Sequence, residues 1–484
     1  LQSDDVFCTK VVQFQELLDV RHSVMLLGPA GCGKTEIWKG LAGCHNKGQT
    51  KKVCITEVVN PKSVTSDELY GYMTLAKDWK DGVLSIMMRG MKNNDRDLGY
   101  HEYQTSKWVV LDGDIDAVWI ESMNTVMDDN KVLTLVSNER IPLTPAMRMV
   151  FEIDSLANAT PATVSRAGIL FINESDIGFR PFIDSFVQTR TNAIEKAHLP
   201  LLFSKYVQPC LDLMKKEYDD VVPLRAMSKV YTLCYLLQAQ LDNSNAEKFT
   251  QSSIEKMFVY SMIWSFGGPL PQDKVNNFRR NFSRMWLDTF KDVILPLKEG
   301  QSVFDIYYDC EADTFSSWEE LCPEYIPPSE LNFSKVVVQT AETTALTHAT
   351  KLLAGVGRPV MLVGGAGTGK TTILQDFLAH LESNSWMQYN IAMNFYTDSK
   401  SLQAQLENPI DKRSGHTFGP PSGRKLVYFV DDLNLPYVET YGTQNSLSLM
   451  RQLIDHGNFF DRIDLGFRTK VVDVQFVTAM NPTA

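Results

Sequence analysis

Short apolar runs alternate with polar and helix-like stretches through the first part of the chain. Strand-like runs stand at 53–59, 108–111 and 149–153, and each is bounded by polar residues. Such alternation is typical of a parallel sheet covered by helices. The pattern therefore predicts an α/β unit over residues 1–174.

Beyond this unit the spacing of apolar positions becomes helical. The segments 223–241 and 252–266 carry apolar residues three and four positions apart. This spacing predicts helices over 175–328 whose aromatic and methionine side chains form a core. The segment 322–330 has the composition of a linker. A second α/β pattern covers 329–484, with strands predicted at 359–363, 426–430 and 473–478.

Two glycine-rich segments, each between a predicted strand and a predicted helix, match the pattern G-x-x-x-x-G-K-[ST]. Their lysines, Lys34 and Lys370, are 336 residues apart, a period that suits tandem modules rather than a solenoid. Backbone N–H groups of such loops converge on phosphate oxygens, and the following helix presents its positive end. The predicted phosphate-binding residues are Gly28, Pro29, Ala30, Gly31, Cys32, Gly33, Lys34 and Thr35, and Gly364, Gly365, Ala366, Gly367, Thr368, Gly369, Lys370 and Thr371.

Each loop also needs a strand that ends in an aspartate. Asp112 closes the first such strand and Asp431 the second. The lysines are expected to reach the β- and γ-phosphates, whereas the pairs Thr35 with Asp112 and Thr371 with Asp431 are expected to hold magnesium. Both sites are therefore predicted to bind ATP or ADP with Mg²⁺.

The residue after each aspartate departs from the pattern of nucleotide hydrolases, which usually carry glutamate there. The first site has Gly113, and moving the strand end two residues on puts Ile115 after Asp114. The second site has Asp432, which is one methylene shorter than glutamate. Because a positioned general base contributes about 10²–10⁴-fold in rate, we predict binding without efficient hydrolysis at the first site. Asp432 is predicted to be a weak catalytic substitute at the second.

Two further polar residues follow predicted strands. Asn481 can position water near a γ-phosphate, or it can simply open an Asn-Pro turn. At the matching place the first unit offers Asp154 or Ser155. Arg166 follows the strand at 149–153; on a lone domain it is a surface arginine, whereas in a ring of such domains it reaches the γ-phosphate of the neighbour.

Several long strings make the chain resemble a dynein heavy chain, specifically the second AAA+ module of the motor ring and an incomplete third. Their wording is closer to axonemal than to cytoplasmic dyneins, and favours an outer-arm chain. The strings are "NPKSVTSDELYGY", "WKDGVLS", "LDGDIDAVWIES", "ATPATVSRAG" and "DDLNLPYVETYGTQ".

The resemblance implies tandem AAA+ P-loop modules, with an all-helical lid after the first. It implies that the first site holds ATP structurally and that the second regulates a minus-end-directed microtubule motor of the ciliary or flagellar axoneme. Arg166 would be the arginine finger for the preceding module, and Arg225 a lid arginine near the nucleotide of its own module. Transport-type dyneins have glutamate where Asp432 stands, which puts hydrolysis at the second site in doubt.

The family's partners follow from the same resemblance. They are neighbouring AAA+ modules of one heavy chain, microtubules through a stalk, and intermediate and light chains through a tail. No heptad run of a stalk is visible here. The chain begins without Met and stops after a strand-like run, so we expect a piece of a longer protein.

Composition narrows the remaining alternatives. A net charge of −11 without a basic run argues against nucleic-acid and anionic-membrane binding. No signal pattern or membrane-length apolar run is visible, and eight cysteines without paired spacing suggest buried, reduced thiols in a cytosolic, non-secreted protein. Two other hypotheses stay open: a non-catalytic, nucleotide-stabilised scaffold in a large assembly, and another giant tandem AAA+ machine such as a ribosome-assembly ATPase.

Overall fold

The computed structural model describes residues 4–47, 53–93, 105–215, 218–244, 250–272, 277–325 and 337–482. Its first α/β unit contains eight helices and nine strands of the described chain. In chain order they are α1 (Asp5–Val20), β1 (Ser23–Leu27), α2 (Lys34–Lys47), β2 (Val53–Val59), α3 (Ser66–Tyr70), β3 (Gly71–Met73), β4 (Trp79–Asp81), α4 (Val83–Asn93), β5 (Thr105–Asp112), α5 (Ala117–Ile120), α6 (Asn124–Met127), β6 (Val132–Thr134), β7 (Arg140–Pro142), β8 (Met147–Ile153), α7 (Pro161–Arg166), β9 (Gly168–Phe171) and α8 (Glu174–Ile177).

A helical unit follows, and after it a second α/β unit. The helical unit consists of α9 (Arg180–Thr189), α10 (Ala193–Met214), α11 (Ala226–Asn243), α12 (Gln251–Met262), α13 (Phe278–Thr289), β10 (Ile306–Asp309), β11 (Thr314–Ser317) and α14 (Trp318–Leu321). The second α/β unit consists of α15 (Ala341–Gly355), β12 (Val360–Val363), α16 (Lys370–Ala379), β13 (Trp386–Ala392), α17 (Ser399–Glu407), β14 (Asp411–Ser414), β15 (Thr417–Gly419), β16 (Lys425–Asp431), α18 (Asn445–His456), β17 (Asn458–Phe460), β18 (Arg468–Val471) and β19 (Val474–Met480).

The two α/β units are built on sheets of the same order. The first sheet runs β2-β5-β8-β1-β9 and the second runs β13-β16-β19-β12, with every pairing parallel. In each sheet the third strand, β8 or β19, lies between two strands of the nucleotide site. On one side is the strand before the glycine loop, β1 or β12, and on the other is the strand that ends in aspartate, β5 or β16. Both faces of each sheet are covered by apolar clusters, as expected for parallel strands buried on two sides.

The helical unit has its own core, in which aliphatic side chains of α10 and α11 pack with aromatic side chains of α10, α12 and α13. The helix predicted over 252–266 is present. Its last turn, Ile263–Gly267, is a π-helix. The expectation of helices throughout 175–328 is wrong at one place, because Ile306–Ser317 forms an antiparallel hairpin that alternates buried and less buried side chains. Two residues of α15, Ala345 and Leu352, complete this core.

The second α/β unit also contributes to the core of the first. Phe460 at the end of β17 and Leu465 in the following turn are buried among side chains of the first sheet's cluster. Around them, Arg462 pairs with Glu68, and Arg468 pairs with Glu57. The two units are therefore joined by apolar packing with a rim of ion pairs.

Some features of the structure were not predicted, or were predicted wrongly, from the sequence. Strand β9 and the hairpins β3-β4 and β6-β7 are too short to give a periodic signal. The expectation of buried cysteines is wrong for Cys8, Cys44 and Cys310, which are exposed, although all eight thiols are free. Part of the predicted linker at 322–330 lies outside the described residues. In the described chain, none of the helices combines the length and apolar character that crossing a bilayer requires.

Candidate nucleotide sites

Both glycine loops connect a strand to a helix, as predicted. The loops follow β1 and β12, and the helices α2 and α16 begin at Lys34 and Lys370. In each loop the same two glycines adopt left-handed backbone, Gly31 and Gly33 in the first and Gly367 and Gly369 in the second. Only glycine does this at little cost, so the two loops use glycine at the same two positions for the same reason.

The two loop lysines also behave alike. Lys34 Nζ donates to the carbonyl oxygens of Gly28 and, at 3.0 Å, of Pro29. Lys370 Nζ donates at 2.7 Å to the equivalent oxygens of Gly364 and Gly365. Each ammonium group is thus held against the carbonyl oxygens of its own loop.

At the second loop, the predicted metal-side residues contact each other. Thr371 Oγ1 donates to Asp431 Oδ2 at 2.9 Å, and the backbone N–H of Asp432 donates to Asp431 Oδ1 at 3.0 Å. Asp432 itself is exposed, with left-handed backbone at φ 54°. Asn481 donates its backbone N–H to Asn434 Oδ1 at 3.2 Å.

At the first loop, the equivalent threonine–aspartate pair is separated. Thr35 Oγ1 donates at 2.7 Å to Glu152 Oε2, and Trp38 Nε1 donates to the other oxygen of Glu152. Asp112 instead accepts from Arg451 Nη2, and from His456 Nε2 at 3.0 Å. Arg451 and His456 lie on α18 of the second α/β unit. Their side chains therefore bind the carboxylate of Asp112, which the sequence analysis assigned to magnesium.

The two neighbouring carboxyl groups have opposite pKa shifts. Burial by itself would raise the pKa of Asp112, but the hydrogen bond from His456 and the charge of Arg451 hold that pKa below its ordinary value. Burial raises the pKa of Glu152, and the nearby charge of Asp112 adds to the shift. The two residues are direct partners on β5 and β8, so the charge of Asp112 acts on the Glu152 carboxyl group at close range.

The space beside Asp112 is closed at the position of the missing glutamate. A Cβ atom on Gly113 would lie 2.8 Å from Asn60 Oδ1 and 3.1 Å from Pro61 Cδ. The Asn60–Pro61 turn is itself fixed, because Asn60 N donates to Gln452 Oε1 of α18 at 2.8 Å. A side chain at position 113 would therefore require Asn60 and Pro61 to shift.

Hydrogen bonds from the first glycine of each loop to the neighbouring strand show which polar residues of the two sites are equivalent. Gly28 N donates to Ile153 O, and Gly364 N donates to Met480 O, so Ile153 and Met480 are equivalent. Asp154 then corresponds to Asn481, as the sequence suggested. Glu152 corresponds to a small apolar residue, Ala479.

A cavity of about 1070 Å³ surrounds the first loop. All three units line it. The first α/β unit contributes the loop and Glu152, the helical unit contributes Tyr231 and Tyr235 on α11, and the second α/β unit contributes Arg358 and Arg451. Arg358 also stacks on Tyr235, with its guanidinium carbon 3.9 Å from the ring centroid. This volume and this mixture of aromatic and charged lining suit a nucleotide-sized ligand.

Two predicted arginines lie away from the described loops. Arg166, at the end of α7, pairs through Nε with Asp128 and is half-buried. Arg225 precedes the first turn of α11 and pairs with Glu174 at 3.4 Å. Arg225 is not among the residues that line the first cavity, whereas Met227, two residues on, does line it; that Arg225 approaches the phosphates stays a prediction.

Magnesium suits the second site in both ligand type and arrangement. Oxygen ligands are those that Mg²⁺ prefers, and it is commonly bound by one or two protein ligands together with phosphates. Thr371 and Asp431 supply such a pair at 2.9 Å. At the first site Thr35 is bonded to Glu152, and Asp112 to Arg451 and His456, so these oxygens would have to change partners to bind Mg²⁺. Among the described side chains, no group of three His, Cys, Asp or Glu residues is placed to hold a metal without nucleotide.

Sequence reasoning missed Glu152, Arg451, His456 and Arg358. Glu152 did carry a signal, since it is a charged residue inside the apolar run "MVFEI". The other three residues carried none, because an arginine or histidine on a polar helix face or in a loop is ordinary.

Three family models match successive parts of the chain. Residues 23–167 match the AAA domain of the dynein-related subfamily, 199–320 match the dynein heavy chain AAA lid domain, and 325–484 match the P-loop containing dynein motor region.

Individual relatives match over the whole chain. It is 46% identical to "Dynein beta chain, ciliary" of Heliocidaris crassispina, 43% to "Dynein axonemal heavy chain 9" of Homo sapiens, and 41% to "Dynein beta chain, flagellar outer arm" of Chlamydomonas reinhardtii. In each case all of this chain is covered, whereas it spans only 10–11% of the relative.

Proposed function

The chain belongs to the dynein heavy chain family, and from this premise we propose distinct roles for its two nucleotide sites. The first site binds ATP with magnesium as a structural element of the motor ring and does not hydrolyse it efficiently. The second binds nucleotide, turns it over slowly, and regulates the motor cycle.

The observation that supports the first role is the closed space at Gly113. The loop, Lys34 and Thr35 supply what binding requires, whereas Gly113 offers no general base and a Cβ at its position would meet the side chains of Asn60 and Pro61. Glu152 does not replace that base, because both of its carboxylate oxygens accept hydrogen bonds from Thr35 and Trp38. A site of this kind holds triphosphate without activating water.

The larger setting is also part of the proposal. Residues 1–174 and 175–328 would form the large and lid subdomains of the second ring module, and 329–484 the large subdomain of the third. The whole protein would be an ATP-driven, minus-end-directed microtubule motor of the axoneme. Its neighbouring modules lie on the same heavy chain, and its stalk, tail, intermediate chains and light chains lie outside this sequence.

The first role predicts which nucleotide is retained. In the chain carrying Lys370→Ala, we expect ATP to remain bound after loading with Mg²⁺ and washing, with little conversion to ADP. Adding Lys34→Ala should reduce the bound nucleotide by about tenfold or more, because charge-assisted hydrogen bonds to phosphate are lost. Quantifying nucleotide released by denaturation measures both results.

The matched control for this experiment is Lys39→Ala, which removes another cavity-lining lysine located one turn beyond the loop. It should leave retention nearly unchanged. Recovery of ADP alone at the first site, after fresh loading with ATP, would contradict the structural role.

The second role predicts a gain of activity. Asp432→Glu in this chain should raise turnover at the second site by about ten- to a hundredfold, provided that side-chain length limits water activation. Single-site turnover with Lys34→Ala in the same chain measures this. Because glutamate tolerates left-handed backbone less well than aspartate does, thermal stability should be measured alongside.

Asp432→Asn is the companion variant, since it keeps the size of the side chain and removes its charge. It should bind nucleotide normally and hydrolyse still more slowly. Equal turnover in the aspartate, glutamate and asparagine forms would show that residue 432 does not set the rate.

A further inference from the structure

The two glycine loops differ in the partner of their threonine. At the second loop Thr371 Oγ1 donates to Asp431 Oδ2 at 2.9 Å, so two oxygens that can share one cation lie side by side. At the first loop Thr35 Oγ1 donates at 2.7 Å to Glu152 Oε2, on strand β8. The hydroxyl group is thus bonded to β8 rather than to the aspartate that ends β5.

A second donor of the same helix holds Glu152 in this arrangement. Trp38 lies three residues after Thr35 on α2, and its Nε1 donates to Oε1 of Glu152. Residues three apart share one face of a helix, so α2 supplies a donor for each oxygen of the carboxyl group. Glu152 and Trp38 are each only 3% exposed. Releasing Thr35 would leave one of these buried oxygens without a partner, which is costly.

The second α/β unit has an apolar pair at the two corresponding positions. Counted from the loop lysines, Leu374 stands at the position of Trp38, and the strand hydrogen bonds place Ala479 at the position of Glu152. Leu374 and Ala479 are both fully buried, and neither side chain carries a polar atom. Thr371 therefore meets no competing acceptor from these two side chains.

We propose that Glu152 sets the magnesium dependence of the first site by holding the hydroxyl group of Thr35 away from Asp112. Glu152 is a positioning residue, since it acts through Thr35. Nucleotide at the first site is then retained mainly by the loop backbone and Lys34, and depends less on magnesium than nucleotide at the second site does. This inference rests on the proposed binding of ATP at the first site.

The test measures how strongly ATP affinity depends on magnesium at each site. In this chain carrying Lys370→Ala, the first site is titrated with ATP in excess Mg²⁺ and again in excess chelator, and the chain carrying Lys34→Ala gives the same ratio of affinities for the second site. The ratio should be at least about tenfold smaller at the first site. Glu152→Ala should raise the first-site ratio by about tenfold, the usual effect of one hydrogen-bonding group on a charged partner.

Two further variants separate positioning from folding. The double variant Glu152→Ala, Trp38→Leu takes the residues of the second unit at both positions and leaves no indole N–H without an acceptor, so it should show the same rise. Glu152→Gln keeps an acceptor for Thr35 and should shift the ratio less. Nucleotide binding at the second loop, measured with Lys34→Ala in place of Lys370→Ala, checks that each variant is folded.

Glu36→Thr is the matched control. Glu36 is exposed and lines the same cavity, and the second unit has Thr372 at its position. The variant removes a carboxylate from the lining but leaves the hydrogen bond between Thr35 and Glu152. Its ratio should change by less than about threefold, as expected for an exposed charge.

Three outcomes would overturn the inference. Equal ratios at the two sites, or in the parent and Glu152→Ala, would make Glu152 a buried structural partner of α2. A lower ratio in Glu152→Ala than in the parent would show that Glu152 itself belongs to the metal site. Absence of ATP binding in the Lys370→Ala parent would instead overturn the proposed function of the first site, and the inference with it.

Discussion

Replacing Arg166 by alanine in the complete heavy chain is expected to lower its ATPase rate by about 10³–10⁵-fold, the contribution of arginine fingers in other phosphoryl-transfer systems. Arg166 ends α7 on a surface where a ring would place the preceding module. Its guanidinium is pre-oriented by Asp128, which binds only Nε. The terminal nitrogens can then donate in parallel to phosphate oxygens of the neighbour. Steady-state ATPase and microtubule gliding measure the effect.

The variants around Arg166 separate catalysis from folding. Arg166→Lys should rescue little of the rate, because a point charge cannot reproduce the forked contact. Asp128→Asn should cause a smaller loss, since it weakens the orientation of the guanidinium without removing it. ATP binding at Lys34 should stay near normal in all three variants. An alanine variant with most of its ATPase would identify Arg166 as a structural partner of Asp128.

Lys62→Ala is expected to destabilise the first α/β unit by about 3–5 kcal/mol, the usual effect of removing one partner of a buried ion pair. Lys62 pairs with Asp116, a fully buried residue, and with Glu439 Oε2 of the second unit at 2.7 Å. Asp116 also caps α5 by accepting from Trp119 N at 3.0 Å. Without Lys62 its carboxylate would remain buried with no cation. Denaturant unfolding followed by tryptophan fluorescence measures the loss.

The control for Lys62 is Lys215→Ala, which removes an exposed lysine whose partner Asp212 lies 4.0 Å away. That variant should change stability by less than about 0.5 kcal/mol. The double variant Lys62→Ala, Asp116→Asn should lose less than the sum of the single changes, because the stranded charge is removed as well. Additive losses would mean that the two side chains do not interact.

The sequence predicted what depends on local pattern. The run at 53–59 coincides with β2, and the run at 149–153 lies within β8. Buried parallel strands are short apolar runs, and glycine loops require glycine at set positions, so both leave a direct signal. The paired loops and Asp112 and Asp431 were found for this reason.

Contacts between distant segments left no such signal. Arg451 and Asp112 are separated by 339 positions, and nothing in either neighbourhood indicates the other. The separation of Thr35 from Asp112 depends on Glu152, which the strand register alone brings beside Asp112. Gly113 was noticed as a missing glutamate, but the turn that excludes a side chain there lies more than fifty residues earlier.

The packing of Phe460 and Leu465 into the first unit has a consequence for synthesis. A ribosome releases the first unit well before these two side chains emerge, so the nascent unit carries an open apolar seam. That seam exposes apolar side chains to solvent until β17 and the turn after it have been translated. Two modules joined in this way complete their folding together. A recombination event that separated them would leave the core of the upstream module without the side chains that cover it.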